Sequence, residues 1–110
     1  MPVEKWSESI VVVHVADEPQ CTEDLHAAET LPAPVRGVVL DFRSINIINS
    51  SNISALLRIR KRCIQENIRL VLCSIRDPIW GTFLLTGLDQ IFQFCADVPT
   101  ALATLQMIRD

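Results

Sequence analysis

The stretch VVLDFRSINIINSSNISALL (residues 38–57) decides the fold. It opens on VVLDF (Val38–Phe42), a near-continuous apolar run of the kind that fills a strand buried in a largely parallel sheet. It closes on a helical pattern. Ile53, Leu56, Leu57, Cys63 and Ile64 recur at helical spacing, with Arg58, Lys61, Arg62 and Gln65 on the remaining faces. VVLDF is therefore expected to be the central strand and residues 51–66 an amphipathic helix, with Asp41 ending the strand and positioning the turn that follows. Between them, at the handover from sheet to helix, lie two adjacent serines flanked by asparagines.

The same reading extends both ways. SIVVVHV (Ser9–Val15) is short and β-branched, which predicts a strand, paired with a preceding one around residues 3–7. Alternation puts Val11, Val13 and Val15 on one face and Ile10, Val12 and His14 on the other, so His14 is expected on a sheet face or edge. CTEDLHAAETL predicts a short helix with Thr22 as N-cap, and PAPVRG (residues 32–37) a connecting loop. IRLVLCS is a further buried strand. DPIWGTFLLTG is a helix opened by Asp77 and Pro78 and closed by Gly87, IFQFC a last strand, and DVPTALATLQMIRD a final helix with Leu102, Leu105 and Ile108 on one stripe. The order β-β-α-β-α-β-α-β-α implies one α/β domain over residues 1–110, a mixed, mostly parallel β-sheet with packed α-helices.

Composition narrows the function. The 110 residues carry a net charge of only −3, with no Tyr, two Trp and four Phe, so neither a basic footprint nor a stacking platform for nucleic acid is present. Acidic residues dominate positions 1–36, whereas Arg58, Arg60, Lys61 and Arg62 cluster later. The amino terminus lacks the basic start and apolar run of a secretory signal, and no apolar stretch approaches the ~20 residues of a membrane span. A cytoplasmic protein without membrane insertion is expected, and its four separated cysteines are expected to be free thiols. No phosphate-binding loop, nucleophile elbow or zinc motif occurs, so no catalytic residue, metal or cofactor is expected. Cys63 and Arg69 satisfy a C-x5-R spacing, but a cysteine late in a helix reverses the strand–loop–helix order such a phosphate loop needs.

The serines remain. Asn49, Ser50 and Ser51 are all competent helix N-caps. A phosphate attached there would also meet the positive end of the helix dipole, so the fold can carry added charge without unfolding. Both NSS (residues 49–51) and NIS (residues 52–54) fit a glycosylation sequon, which the missing export signal argues against.

From Gly37 to Leu105 the chain resembles the STAS domain of anti-sigma factor antagonists. In that family a buried strand ending in Asp, a linker and a D-S-S-G-L stretch open a helix, and an L-T-G-L-D-x-I-F stretch precedes the last strand. Here these read VVLDFRSINIINSSNISALL and LLTGLDQIF, in the same order. The resemblance implies a non-enzymatic regulator that binds an anti-sigma factor with serine kinase activity, is released when phosphorylated, and is restored by a phosphatase. It aligns the phosphoacceptor with Ser51, and a partner-binding surface is expected over Asn49, Ser50, Ser51, Asn52, Ser54, Arg58 and Arg62. Asn49 stands where the family has Asp, removing a negative charge; Asn52 stands where it has Gly, adding a side chain where a partner's backbone comes close. The alternatives are a non-phosphorylated scaffold or subunit of a signalling assembly or transporter ATPase, and, from another class, a small enzyme or nucleotide binder.

Overall fold

The computed structural model describes residues 3–31 and 35–107. Five strands, β1 (Val3–Lys5), β2 (Ile10–Ala16), β3 (Gly37–Ser44), β4 (Arg69–Cys73) and β5 (Gln93–Cys95), form one sheet in sequence order, and only the β1–β2 pair is antiparallel. The helices are α1 (Gln20–Glu29), α2 (Ser50–Gln65), α3 (Asp77–Thr86) and α4 (Val98–Met107), with a 3-10 turn at Leu88–Gln90. Parallel crossovers are right-handed, so a strand order that never reverses stacks α1, α2 and α3 on one face. α4 covers the other.

This arrangement sorts the apolar residues by strand parity. Val11, Val13, Val15, Val38, Leu40, Phe42 and Leu72 join Leu25, Leu56, Ile59, Ile79 and Phe83 in the core beneath α1–α3. Ile10, Val12, Val39 and Val71 meet Ala101 and Leu105 of α4 in a smaller core. The expected alternation in β2 is therefore borne out, as is β3 as the middle strand. Phe83 meets Phe42 edge-on at 6.3 Å between ring centroids, and Trp80 meets Phe94 at 5.0 Å. Gly37 opens β3 beneath α4, where a Cβ would stand 3.1 Å from Leu105 Cδ1. Gly87 closes α3 with φ at +78°, the left-handed C-cap that glycine adopts without strain.

Three expectations are corrected. β3 runs on to Ser44, and Asp41 lies within it rather than at its end, because its side chain belongs to the α4 side of the sheet and finds partners there. One carboxylate oxygen accepts from the Arg43 N–H and the other contacts His14 Nδ1 at 2.8 Å. Second, α1 starts at Gln20, ahead of Thr22, because Glu18 accepts both the Thr22 N–H and its hydroxyl, so Thr22 is held by a cap rather than serving as one. Third, the last strand is shortened to Gln93–Cys95, the preceding residues closing a 3-10 turn. Ile108 and residues 32–34 of the expected loop lie outside the described residues.

His14 ties β1, β2 and β3 together, with Nδ1 on Asp41 and Nε2 2.9 Å from Glu4. Two carboxylates call for two N–H donors, which only the protonated imidazole has. The Glu4 hydrogen bond raises the His14 pKa above 6.5, with Asp41 adding to it against the opposing cost of burial.

Phe83→Ala is expected to cost about 3–5 kcal/mol in urea unfolding, whereas Leu85→Ser, at a side chain 91% exposed, is expected to stay within ~0.5 kcal/mol. The stability that His14 contributes is complete below pH 6.5 and lost as pH rises through its raised folded-state value. The difference in unfolding free energy between wild type and His14→Gln should therefore shrink as pH is raised from about 5.5 to 8.5; a constant difference would refute the assignment.

Candidate functional site at the start of the second helix

α2 begins where the chain leaves β3 and crosses the end of the sheet. Ile45 is buried and anchors this crossing, while Ile47 at its tip is 74% exposed. Asp17, at the end of β2, fixes the crossing: its carboxylate accepts from the backbone N–H groups of Asn46 and Ile47 and from the Asn46 side chain. Arg76, just before α3, donates to the Asn46 side-chain oxygen. The Asn46 bonds hold the Asp17 carboxyl below its ordinary pKa.

The opening turn of α2 is capped by asparagines. Asn49 is the N-cap; its side-chain oxygen accepts the Asn52 N–H at 2.8 Å, and Asn52 returns the bond from the Asn49 N–H at 3.0 Å. This reciprocal box satisfies two otherwise orphaned donors. Asn52 is only 1% exposed, and its remaining amide donates to Glu18 at 3.0 Å. Glu18 thus reaches α1 through Thr22 and α2 through Asn52, and those bonds, Thr22 first, depress its pKa. No acidic residue lies in the first turn of α2 itself. Glu18 brings the negative charge that a helix N-terminus favours from a neighbouring loop.

The consequence concerns the serines. Capping is done by Asn49 and Asn52, so Ser50, Ser51 and Ser54 stand exposed with hydroxyls that bond no described residue. Ser50, Ser54, Leu57, Lys61 and Ile64 form one outward stripe of α2, and all five are exposed. Ser51 lies a step round the helix, towards α1, on the same side as Arg58.

The two arginines expected on this surface differ. Arg58 is exposed and pairs through Nε with Glu29 of α1 at 2.7 Å. Arg62 turns inward. It donates to the backbone carbonyls of Ala28, Glu29 and Leu31 and pairs with Glu66, so it caps the C-terminal end of α1 as much as it borders the serine surface. Asn49 and the three serines cluster at the rim, whereas Asn52 is buried beneath it.

Other reactive groups lie elsewhere. Burial pushes the thiols of Cys21 and Cys73 up to about 12 and that of Cys63 up to about 11. The Arg69 guanidinium bonds Gln93, so the C-x5-R pair forms no phosphate loop. Sequence reasoning missed Asp17 and Glu18; their only signal was the acidic bias of the first 36 residues. Among the described residues no helix is long and apolar enough to cross a membrane.

Among solved structures, a Ser-to-Glu variant of RsbS from Moorella thermoacetica is 18% identical to this chain, with a TM-score of 0.76 and 96% of each chain covered. An anti-sigma-factor antagonist (STAS) domain protein from Planctomyces limnophilus is 19% identical, with a TM-score of 0.75 over 88% of this chain and 91% of that one. A sulfate transporter family protein from Wolinella succinogenes is 16% identical, with a TM-score of 0.76 over 90% and 84%. Identities this low speak to a shared fold. No curated protein matches the sequence at a significant level. The STAS domain family, however, is matched in sequence over residues 3–101, and with its strand order and the opening turn of α2 in place, this chain belongs to that family.

Proposed function

We propose that the protein is a non-enzymatic, protein-binding regulator of the anti-sigma factor antagonist kind, acting in the cytoplasm by partner switching, with Ser51 as the phosphoacceptor. The observation that carries this reading is the exposed Ser51 hydroxyl on a helix start that is capped without it. A serine that caps its helix is withdrawn from a partner; this one is presented. In the switch, Ser51 Oγ bonds to the γ-phosphorus of ATP held by a partner serine kinase, the bond to ADP breaks, and the hydroxyl proton passes to a base of the kinase. A phosphatase reverses the state by hydrolysis.

The two departures from the D-S-S-G motif are accommodated. The Asn52 side chain turns into the protein onto Glu18 and leaves the approach of a partner's backbone open. Glu18 supplies a carboxylate beside the asparagine box, where the family has Asp at the position of Asn49. The docking surface comprises the exposed stripe of α2 from Ser50 to Lys61 with the Ile47 tip beside it. Its apolar members suit burial against a partner, and Arg58 suits an acidic group on it.

A second reading, a non-phosphorylated scaffold or subunit, draws on Asn49 and Asn52 serving as structural caps. Titration of a candidate anti-sigma serine kinase separates the two. Ser51→Ala is expected to bind like wild type, and Ser51→Asp to bind at least about tenfold more weakly, since an added charge must be desolvated in the contact. Equal affinities would remove the switch and leave the scaffold.

A further inference from the structure

α1 and α2 do not close fully against each other beside Ser51. A cleft of about 180 Å³ lies between them, where Thr22, His26 and Glu29 of α1 face Ser51 and Arg58 of α2. Glu29 sits between the Arg58 and His26 side chains, 2.7 Å from Arg58 Nε and 4.0 Å from His26 Nδ1. The Nη groups of Arg58 make no hydrogen bond to a described residue. Because the guanidinium is a fork of five donors, one ion pair through Nε leaves its far edge available.

Helix geometry puts Arg58 on the same side of α2 as Ser51, and both line the cleft. The two residues are seven apart, two turns and a rise of about 10 Å. Ser51 enters the cleft with a short side chain and Arg58 with a long one, so a phosphate on Ser51 Oγ and the Nη groups of Arg58 share the same space. The wall opposite is His26, whose side chain is 72% exposed and turns cationic on protonation.

We propose that this cleft is an intramolecular reading site for a phosphate on Ser51, which Arg58 and His26 engage across the α1–α2 boundary. The inference rests on Ser51 as phosphoacceptor and adds what the phosphate does once attached. It draws α1 and α2 together, with Arg58 bridging Glu29 and the phosphate as planar guanidinium groups bridge two anions. Phosphorylation then changes the shape of the rim as well as its charge. The facing groups are Arg58 and His26 in favour and two carboxylates against, Glu18 beside Asn52 and Glu29 already held by Arg58.

The test uses the full chain with phosphoserine installed at position 51 during synthesis, so that no kinase is needed. Phosphorus NMR follows the second ionisation of the phosphate with pH. Arg58→Gln is expected to raise that ionisation by about 0.5 pH unit, the size of one exposed ion pair, and Arg58→Lys to restore most of it. In the unsubstituted chain, the His26 imidazole should titrate at higher pH with the phosphate than without it, a readout that does not depend on any variant folding. An unmoved phosphate titration in Arg58→Gln, or an unmoved His26 titration on phosphorylation, would overturn the proposal. A cell that never phosphorylates Ser51 would sink the proposed function and leave these titrations unaltered.

Discussion

Two adjacent carboxylates, Asp17 and Glu18, hold the rim of the sheet where the first and second helices start. One binds the crossing that leads into α2 and the other binds the first turns of α1 and α2 together. Both are kept ionised by their hydrogen bonds. A helix start has four backbone N–H groups without intrahelical partners, and here capping falls to Asn49 and Asn52, with Glu18 behind them. The serines are left out of that work. A hydroxyl on a stiff, already satisfied turn can be modified without cost to the cap.

The sheet makes this arrangement possible. Sequential parallel strands bring the ends of β2, β3 and β4 to one rim, and the loops leaving them meet there: Asp17 and Glu18 from the first, Asn46 to Asn49 from the second, Arg76 from the third. Among the described residues the buried polar side chains are all partnered. Asp24 accepts from the Ala16 N–H, Asp41 from the Arg43 N–H, and Asn52 completes the box. Partnered polar groups in a low-dielectric interior fix one geometry for the strands and helix starts beneath the rim.

The regular elements were legible from local pattern. The β-branched runs at β2, β3 and β4, the helical spacing from Ile53, and Gly87 after LLT each encode an element within about a dozen residues. The motif order is equally local, and it aligns Ser51 with the phosphoacceptor of the family. What sequence reading missed is long-range. Nothing near Glu18 announces that it binds Asn52 in another helix, and nothing near Arg62 announces that it caps the end of α1. The choice among Asn49, Ser50 and Ser51 as cap was open because all three types cap well in isolation; the buried amide of Asn52 decides it. Asp41 was read from its place at the end of an apolar run, but strand parity sends its side chain to the α4 face and to His14.

In the proposed function Ser51 carries a reversible charge on a protein-binding rim. Intact-mass spectrometry of the protein isolated from its own cells, with Ser51→Ala alongside, tests it most directly. The account predicts a phosphate-sized increment in the wild type that is absent from Ser51→Ala. A wild type that stays unmodified under every growth condition, or an increment that persists in Ser51→Ala, would contradict it.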